Sequence, residues 1–279
     1  MEFHYRGGRL SLNAPCVMGI LNVTPDSFSD GGRYASPEAA VAHARQMVND
    51  GAAILDIGAQ STRPNAARLS DEEEWARLAP CLEAVLAAVS CPVSVDTFYP
   101  AVAARALAMG AHIINDVSGS EQNGMASVAA EYGAGMIFMR SGTPDAREAD
   151  ANTVVAEARA YFARALALAK AAHLPIESVC LDVGIGFGSS TAGDRALIAR
   201  LPELTEGLPR TAVLVGASRK RVVSEVLGGV PTEERLAGTL ALHTVALWNG
   251  AHIVRAHDVK EAVQAAAVVG ALKEARKEI

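Results

Sequence analysis

A chain of 279 residues, 50% hydrophobic and 20% charged, can bury a sizeable core, which excludes extended disorder and favours one large domain of the length α/β barrels fill. Its 25 Lys and Arg against 31 Asp and Glu give a net charge of −6, leaving no basic surface excess for nucleic acid or an anionic membrane as main partner.

The N-terminal FHYRGG and RLSLNA read as a strand pair turned at Gly7 and Gly8. CVMGILN (16–22) is the first of eight short apolar runs rich in Val and Ile, and it opens into a loop of hydroxyls, carboxylates, a proline and paired glycines. A helix follows, with Ser36 as N-cap, Pro37 in the first turn and Gly51 at its end. The remaining strand runs are 53–59, 92–96, 112–117, 136–140, 178–184, 211–218 and 252–257. Between them lie the helical stretches DEEEWARLAPCLEAVLAAV, YPAVAARALAMG, MASVAAEYG, 152–173, GDRALIARLPELTEG and TEERLAGTLALHTVALWNG, with VKEAVQAAAVVGALKEARKE last. Gly51, Gly110 and Gly250 each close a helix as a C-cap and feed the next strand.

Eight strands alternating with helices predict a single-domain (β/α)8 TIM barrel over residues 1–279, with the short N-terminal hairpin closing its floor. A doubly wound open sheet is the other arrangement the alternation allows. Cys16, Cys81, Cys91 and Cys180 lack ligand spacing and read as free thiols. The N-terminus has no secretory pattern and no apolar run reaches the roughly 18 residues of a membrane span, so a reduced, cytoplasmic protein is expected. The DEEE run at 71–74 reads as a solvated helix start, and His4, His43, His112, His173 and His243 as surface or core residues.

In such a barrel the C-terminal strand ends carry the chemistry, and every run here ends on polar residues. They are Asn22; Gln60, Ser61, Thr62 and Arg63; Asp96 and Thr97; Asn115 and Asp116; Arg140; Asp182; Ser218, Arg219 and Lys220; Arg255 and His257. Any one of them could cap a helix, but capping needs no arginine, lysine or buried amide. Asp96, Asn115 and Asp182 suit the donor and acceptor edge of a flat nitrogen heterocycle such as a 2-amino-4-oxopyrimidine ring. Asn22, Thr62, Arg63, Arg255 and His257 suit phosphate oxygens and, at Asn22, a divalent ion.

With these residues in view, MGILNVTPDSFSDGG, AILDIGAQSTRPNA, SVDT with HIINDV, LVGASRKR and RAHDV resemble, in order and over nearly the whole length, the signatures of the dihydropteroate synthase family. The resemblance implies a transferase of folate biosynthesis that joins 6-hydroxymethyl-7,8-dihydropterin pyrophosphate to 4-aminobenzoate and releases pyrophosphate, a sulfonamide target. It implies pterin contacts at Asp96, Asn115, Asp182, Lys220 and Arg255, and pyrophosphate contacts at Asn22, Thr62, Arg63, Arg255 and His257. It implies aminobenzoate contacts at Thr62, Phe187, Ser218 and Lys220, Mg²⁺ at Asn22, and Asp30, Arg63 and Lys220 as the catalytic set. Asp30 resembles a loop carboxylate that closes over the site. The chain departs from the family pattern at Gln60, Arg140, Val183 and Ser189. The apolar stretches TLALHTVALW and VQAAAVVGAL, together with the resemblance, suggest a homodimer. A pterin-dependent methyltransferase barrel and a pterin-binding paralogue without turnover are the other readings of the same site chemistry.

Overall fold

The computed structural model describes residues 1–24, 36–60, 68–120, 124–142 and 149–277. Strands β1 (Glu2–Tyr5) and β2 (Gly8–Ser11) form the hairpin; Tyr5 pairs with Gly8, so the loop is Arg6 and Gly7, and Gly8 opens the second strand instead of sharing the turn. Gly7 takes φ +81°, a conformation that glycine adopts without steric cost.

The chain then alternates through β3 (Cys16–Asn22), α1 (Pro37–Asn49), β4 (Ile54–Gly58), α2 (Asp71–Ala88), β5 (Val93–Thr97), α3 (Pro100–Met109), β6 (Ile113–Asp116), α4 (Met125–Glu131), β7 (Gly135–Met139) and α5 (Ala151–Ala171). It continues with β8 (Val179–Asp182), α6 (Thr191–Ala199), α7 (Leu201–Thr205), β9 (Ala212–Val215), α8 (Arg221–Val226), α9 (Leu236–Trp248), β10 (Ile253–Ala256) and α10 (Val259–Lys277). Strands β3 to β10 pair in parallel in chain order, and β10 returns to β3, with Val254 beside Val17, closing a barrel and ruling out the open sheet.

Local chemistry sets the element ends. Ser36 accepts the Ala39 N–H at 3.2 Å and Pro37 starts α1, as the sequence anticipates. Ser70 and Glu73 form a reciprocal capping box on α2. Glu74 overturns the expectation of a solvated DEEE start: it faces the barrel, is 0% exposed, and burial pushes its carboxyl up to about 7 against the Thr97 side chain and Arg68. The single helix expected over 193–207 is two, α6 and α7, parting at Arg200 because Pro202 has no N–H to continue the ladder. Helix α8, six residues long, is too short for its periodicity to register in the sequence.

Strand alternation sorts the side chains into two cores. Leu55, Val95, Phe138 and Val254 point outward to the helices, while Met18, Ile54, Ile113, Ile137, Cys180 and Ile253 fill the barrel floor above Phe3 and Leu12 of the hairpin segment. Phe3 is fully buried, a placement that contributes roughly 1.5–3 kcal/mol and holds the hairpin against the floor. Two residues further along the same inner face, chemistry changes abruptly. Ile54 is followed by Asp56, Ile113 by Asn115, Cys180 by Asp182, and Ile253 by Arg255.

Candidate active site at the C-terminal rim

Asp56, Asn115 and Arg255 of that layer form one hydrogen-bonded group with Asp96. Arg255 Nε donates to Asp56 Oδ2 at 2.6 Å and its NH2 nitrogen to Asp96 Oδ2 at 2.8 Å, so one guanidinium ties β10 to β4 and β5 across the barrel. Asn115 Nδ2 donates to the same Asp56 oxygen at 3.0 Å. A carboxylate can only accept from this amide, which fixes the amide's orientation and turns Asn115 Oδ1 the other way. Asn115 Oδ1 and Asp56 Oδ1 are both buried without a hydrogen-bond partner among the described residues.

Asp56 is the hub of this layer, and the sequence reading did not assign it to the site. Its signal was a carboxylate inside an apolar strand run, two positions after Ile54 on one face.

Burial pushes Asp96 up to about 7, assisted by Asp56 and Glu74 and opposed by Arg255. Asp182 is raised by burial too, with Lys220 and the Gly184 N–H, which donates to Asp182 Oδ1 at 2.9 Å, pulling it back. Lys220 is pushed down to about 8 by burial, with Asp182 the main opposing charge. Its Nζ donates to the Ile185 carbonyl and lies 4.4 Å from the Phe187 ring centroid, close enough for a cation–π contact.

Ser218 Oγ accepts the His257 backbone N–H at 3.2 Å and lies 3.0 Å from His257 Nδ1. Burial and the nearby Arg255 hold His257 down at about 3, so it is a neutral imidazole rather than a cation. The Ser218 hydroxyl and the neutral ring share one hydrogen bond at Nδ1, in which either group can be the donor. Asn22 ends β3 half-buried, on the inner face above Ile20, beside Gly58 of β4.

The structure therefore brings together Asp96, Asn115, Asp182, Lys220 and Arg255, with Phe187 against Lys220 and Ser218 against His257. Asp30, Thr62 and Arg63 lie outside the described residues. Three rim residues point elsewhere. Met139 takes the inner position on β7, so Arg140 faces outward, 0% exposed, and pairs with Glu157 of α5 through Nε at 3.2 Å. Arg219 turns to Asp258, with Nε to Oδ2 at 3.0 Å. Asp116 behaves as a turn residue, its Oδ1 accepting the Ser118 N–H at 2.9 Å.

Among the described residues, no group of three or more His, Cys, Asp or Glu converges to hold a metal. A lone amide oxygen at Asn22 nonetheless suits Mg²⁺, which keeps several waters and takes substrate phosphate oxygens instead of needing an all-protein cage.

The family model of the pterin binding enzymes matches residues 18–257, the stretch that forms the closed parallel barrel and its rim. The chain is 43% identical to the dihydropteroate synthase of Escherichia coli (strain K12), covering 99% of this chain and 98% of that one. It is 40% identical to the Bacillus subtilis (strain 168) enzyme, covering 92% and 88%. Dihydropteroate synthase from Xanthomonas albilineans with 4-aminobenzoic acid superposes with a TM-score of 0.90 at 41% identity, covering 98% of this chain and 99% of that one. The same enzyme in complex with 7,8-dihydropteroate gives 0.87 at 39%, with the same coverage. The chain belongs to the dihydropteroate synthase family, transferases of folate biosynthesis.

Proposed function

We propose that the chain condenses 6-hydroxymethyl-7,8-dihydropterin pyrophosphate with 4-aminobenzoate to give 7,8-dihydropteroate and pyrophosphate. One observation carries the residue-level reading: the buried acceptors Asn115 Oδ1 and Asp56 Oδ1, which meet no donor among the described residues, beside the carboxylates of Asp96 and Asp182. An unmatched buried acceptor costs about 1–3 kcal/mol, and a flat ring bearing N–H and amino donors relieves it. The 4-aminobenzoic acid and 7,8-dihydropteroate held by the Xanthomonas albilineans relatives support both ends of the reaction.

In this reading Asp96, Asn115, Asp182 and Lys220 hold the pterin edge, and Arg255 lays its guanidinium against the ring in the plane that Asp56 and Asp96 dictate. Asn22, Thr62, Arg63 and His257 take the pyrophosphate together with Arg255, whose NH1 is the terminal nitrogen left over from the two carboxylates. Thr62, Phe187, Ser218 and Lys220 receive the aminobenzoate. Asn22 would hold Mg²⁺, which would supply positive charge to the pyrophosphate leaving group. The reaction is SN1-like. The methylene C–O bond breaks with its electron pair leaving on pyrophosphate, and the Asp30 carboxylate steadies the methylene cation. The neutral amine of aminobenzoate forms the C–N bond and then sheds its proton to solvent, so no general base is required.

The test is multiple-turnover pyrophosphate release. Release that requires both 4-aminobenzoate and Mg²⁺ is the expected result. Tight pterin binding without turnover, or release indifferent to aminobenzoate, would overturn the assignment.

Among the described residues no helix is long and apolar enough to cross a membrane, and we read the enzyme as cytoplasmic and dimeric. Val245 and Trp248 on α9, with Val268 and Leu272 on α10, expose large apolar side chains on two helices in contact, Val268 at 61% and Trp248 at 43%, which supports association of two copies there. Sedimentation should give twice the 29.0 kDa chain mass, and Val268→Asp should return it to a single chain. A wild-type mass of one chain would remove the dimer from this reading.

A further inference from the structure

Lys220 stands at the entry to α8, yet its ammonium is fixed from the loop between β8 and α6. That loop passes through Gly184 at φ +70° and Gly186 at φ +81°. These values favour glycine, and a Cβ on Gly184 would run into the Arg140 carbonyl. The carbonyl of Ile185 receives Lys220 Nζ. The N–H of Gly186 belongs to the same peptide group and donates to Asp194 Oδ1 at 3.0 Å.

In a trans peptide the N–H and C=O point in opposite directions. A carboxylate on one edge and an ammonium on the other therefore load a single dipole from both ends, each contact strengthening the other. Asp194 Oδ1 also accepts the Ser189 hydroxyl at 2.5 Å, tying the end of the loop to the same oxygen. Arg221 NH2 grips the Ser189 carbonyl at 3.2 Å. The Lys220 stem passes close over Gly186, where a Cβ would come within 3.2 Å of Lys220 Cδ. Asp194 is fully buried in the first turn of α6, outside the barrel lumen. Burial raises its carboxyl, and the Gly186 N–H, the Ser189 hydroxyl and Lys220 pull it back.

We propose that Asp194 is a positioning residue for Lys220, holding the peptide group that joins Ile185 and Gly186 so that its carbonyl aims the ammonium at the seat of both substrates. This rests on the reading of Lys220 as a substrate contact. Asp194 touches no substrate; it sets where Lys220 and the Phe187 ring above it stand.

Two measurements on the full chain separate the inference from that reading. The first is steady-state kinetics of Asp194→Ala, Asp194→Ser and Asp194→Asn. Asp194→Ala should raise the KM for 4-aminobenzoate by about tenfold, since displacements near 1 Å have large kinetic effects. Asp194→Asn, which keeps an acceptor oxygen in place, should stay within about threefold of wild type. The second is trace acylation of Lys220 read by mass spectrometry, with the exposed Lys170 as internal reference. Freed from the Ile185 carbonyl, Lys220 should react several times faster in Asp194→Ala and at the wild-type rate in Asp194→Asn. Asp194→Ser, too short to reach the loop, gives the same comparison if the alanine variant does not fold.

Equal KM and equal Lys220 reactivity across all variants would overturn the inference, as would equal impairment of the asparagine and alanine variants. A purely structural role would lower Tm without a difference in Lys220 reactivity, which also counts against it. Absence of turnover in wild type would strike the functional reading alone, because the acylation comparison does not depend on catalysis.

Discussion

Arg255→Ala is expected to lower kcat/KM by about a thousandfold and to lower stability by about 3 kcal/mol or more, an effect visible as a drop of several degrees in Tm. Both consequences have one origin. The guanidinium neutralises Asp56, which is fully buried, and Asp96, which is nearly so, through two separate nitrogens. Removing it leaves two buried carboxylates close together, and at least one must take up a proton. The same truncation strips the pterin of its stacking partner and the pyrophosphate of a cation, so affinity for both halves of the substrate should fall. Arg255→Lys should recover little, because a single ammonium cannot reproduce two fork contacts to two strands. Asp96→Asn provides the contrast: pterin binding weakens while pyrophosphate affinity holds. Isothermal titration with a pterin and with pyrophosphate separately, alongside thermal unfolding, reads all three variants. An Arg255→Ala protein with wild-type Tm and undiminished pyrophosphate affinity would show that the guanidinium does not join the two halves of the site.

The barrel was legible because β-branched apolar runs alternate with alanine-rich helices, three of them closed by glycine. Gly51, Gly110 and Gly250 take the positive φ values, +99°, +123° and +113°, that this reading requires. Five of the rim residues could be read off because polar groups at strand ends interrupt otherwise apolar runs. The misses share a different physical cause. Parallel strands buried on both faces lose the alternation that tells inside from outside, so parity could not be read one strand at a time. Arg140 looked like a rim residue, and register shows Met139 inside and Arg140 against α5. Asp56 looked like part of an apolar run, and register sets it opposite Ile20 and Ser94 on the lumen face. Glu74 was hidden by its acidic neighbours: Glu72 and Glu73 face solvent, while the next residue turns its carboxyl onto the barrel. In each case the decisive information is which way a side chain points, and that follows from tertiary closure rather than from local composition.

Asp56 offers the sharper dissection of the site, because its two oxygens do different things. Oδ2 accepts both Arg255 Nε and Asn115 Nδ2, and Oδ1 is buried with no donor among the described residues. Asp56→Ala removes the shared acceptor, leaves Arg255 half-paired and frees the Asn115 amide to rotate. Stability should fall by about 3–5 kcal/mol and pterin affinity by roughly a hundredfold. Asp56→Asn is expected to behave differently. Its carbonyl oxygen can take the place of Oδ2 and keep both hydrogen bonds, while its NH2 group occupies the place of Oδ1 and turns a spare acceptor into a donor. The fold should then survive with a Tm close to wild type, and pterin affinity should still drop by about tenfold, since a ring offering N–H donors meets another donor. Thermal unfolding and pterin titration on the two variants separate the oxygens. If Asp56→Asn binds a pterin as tightly as the wild type, the unmatched oxygen takes no part in recognising the ring, and Asp56 serves only to hold Arg255 and Asn115 in place.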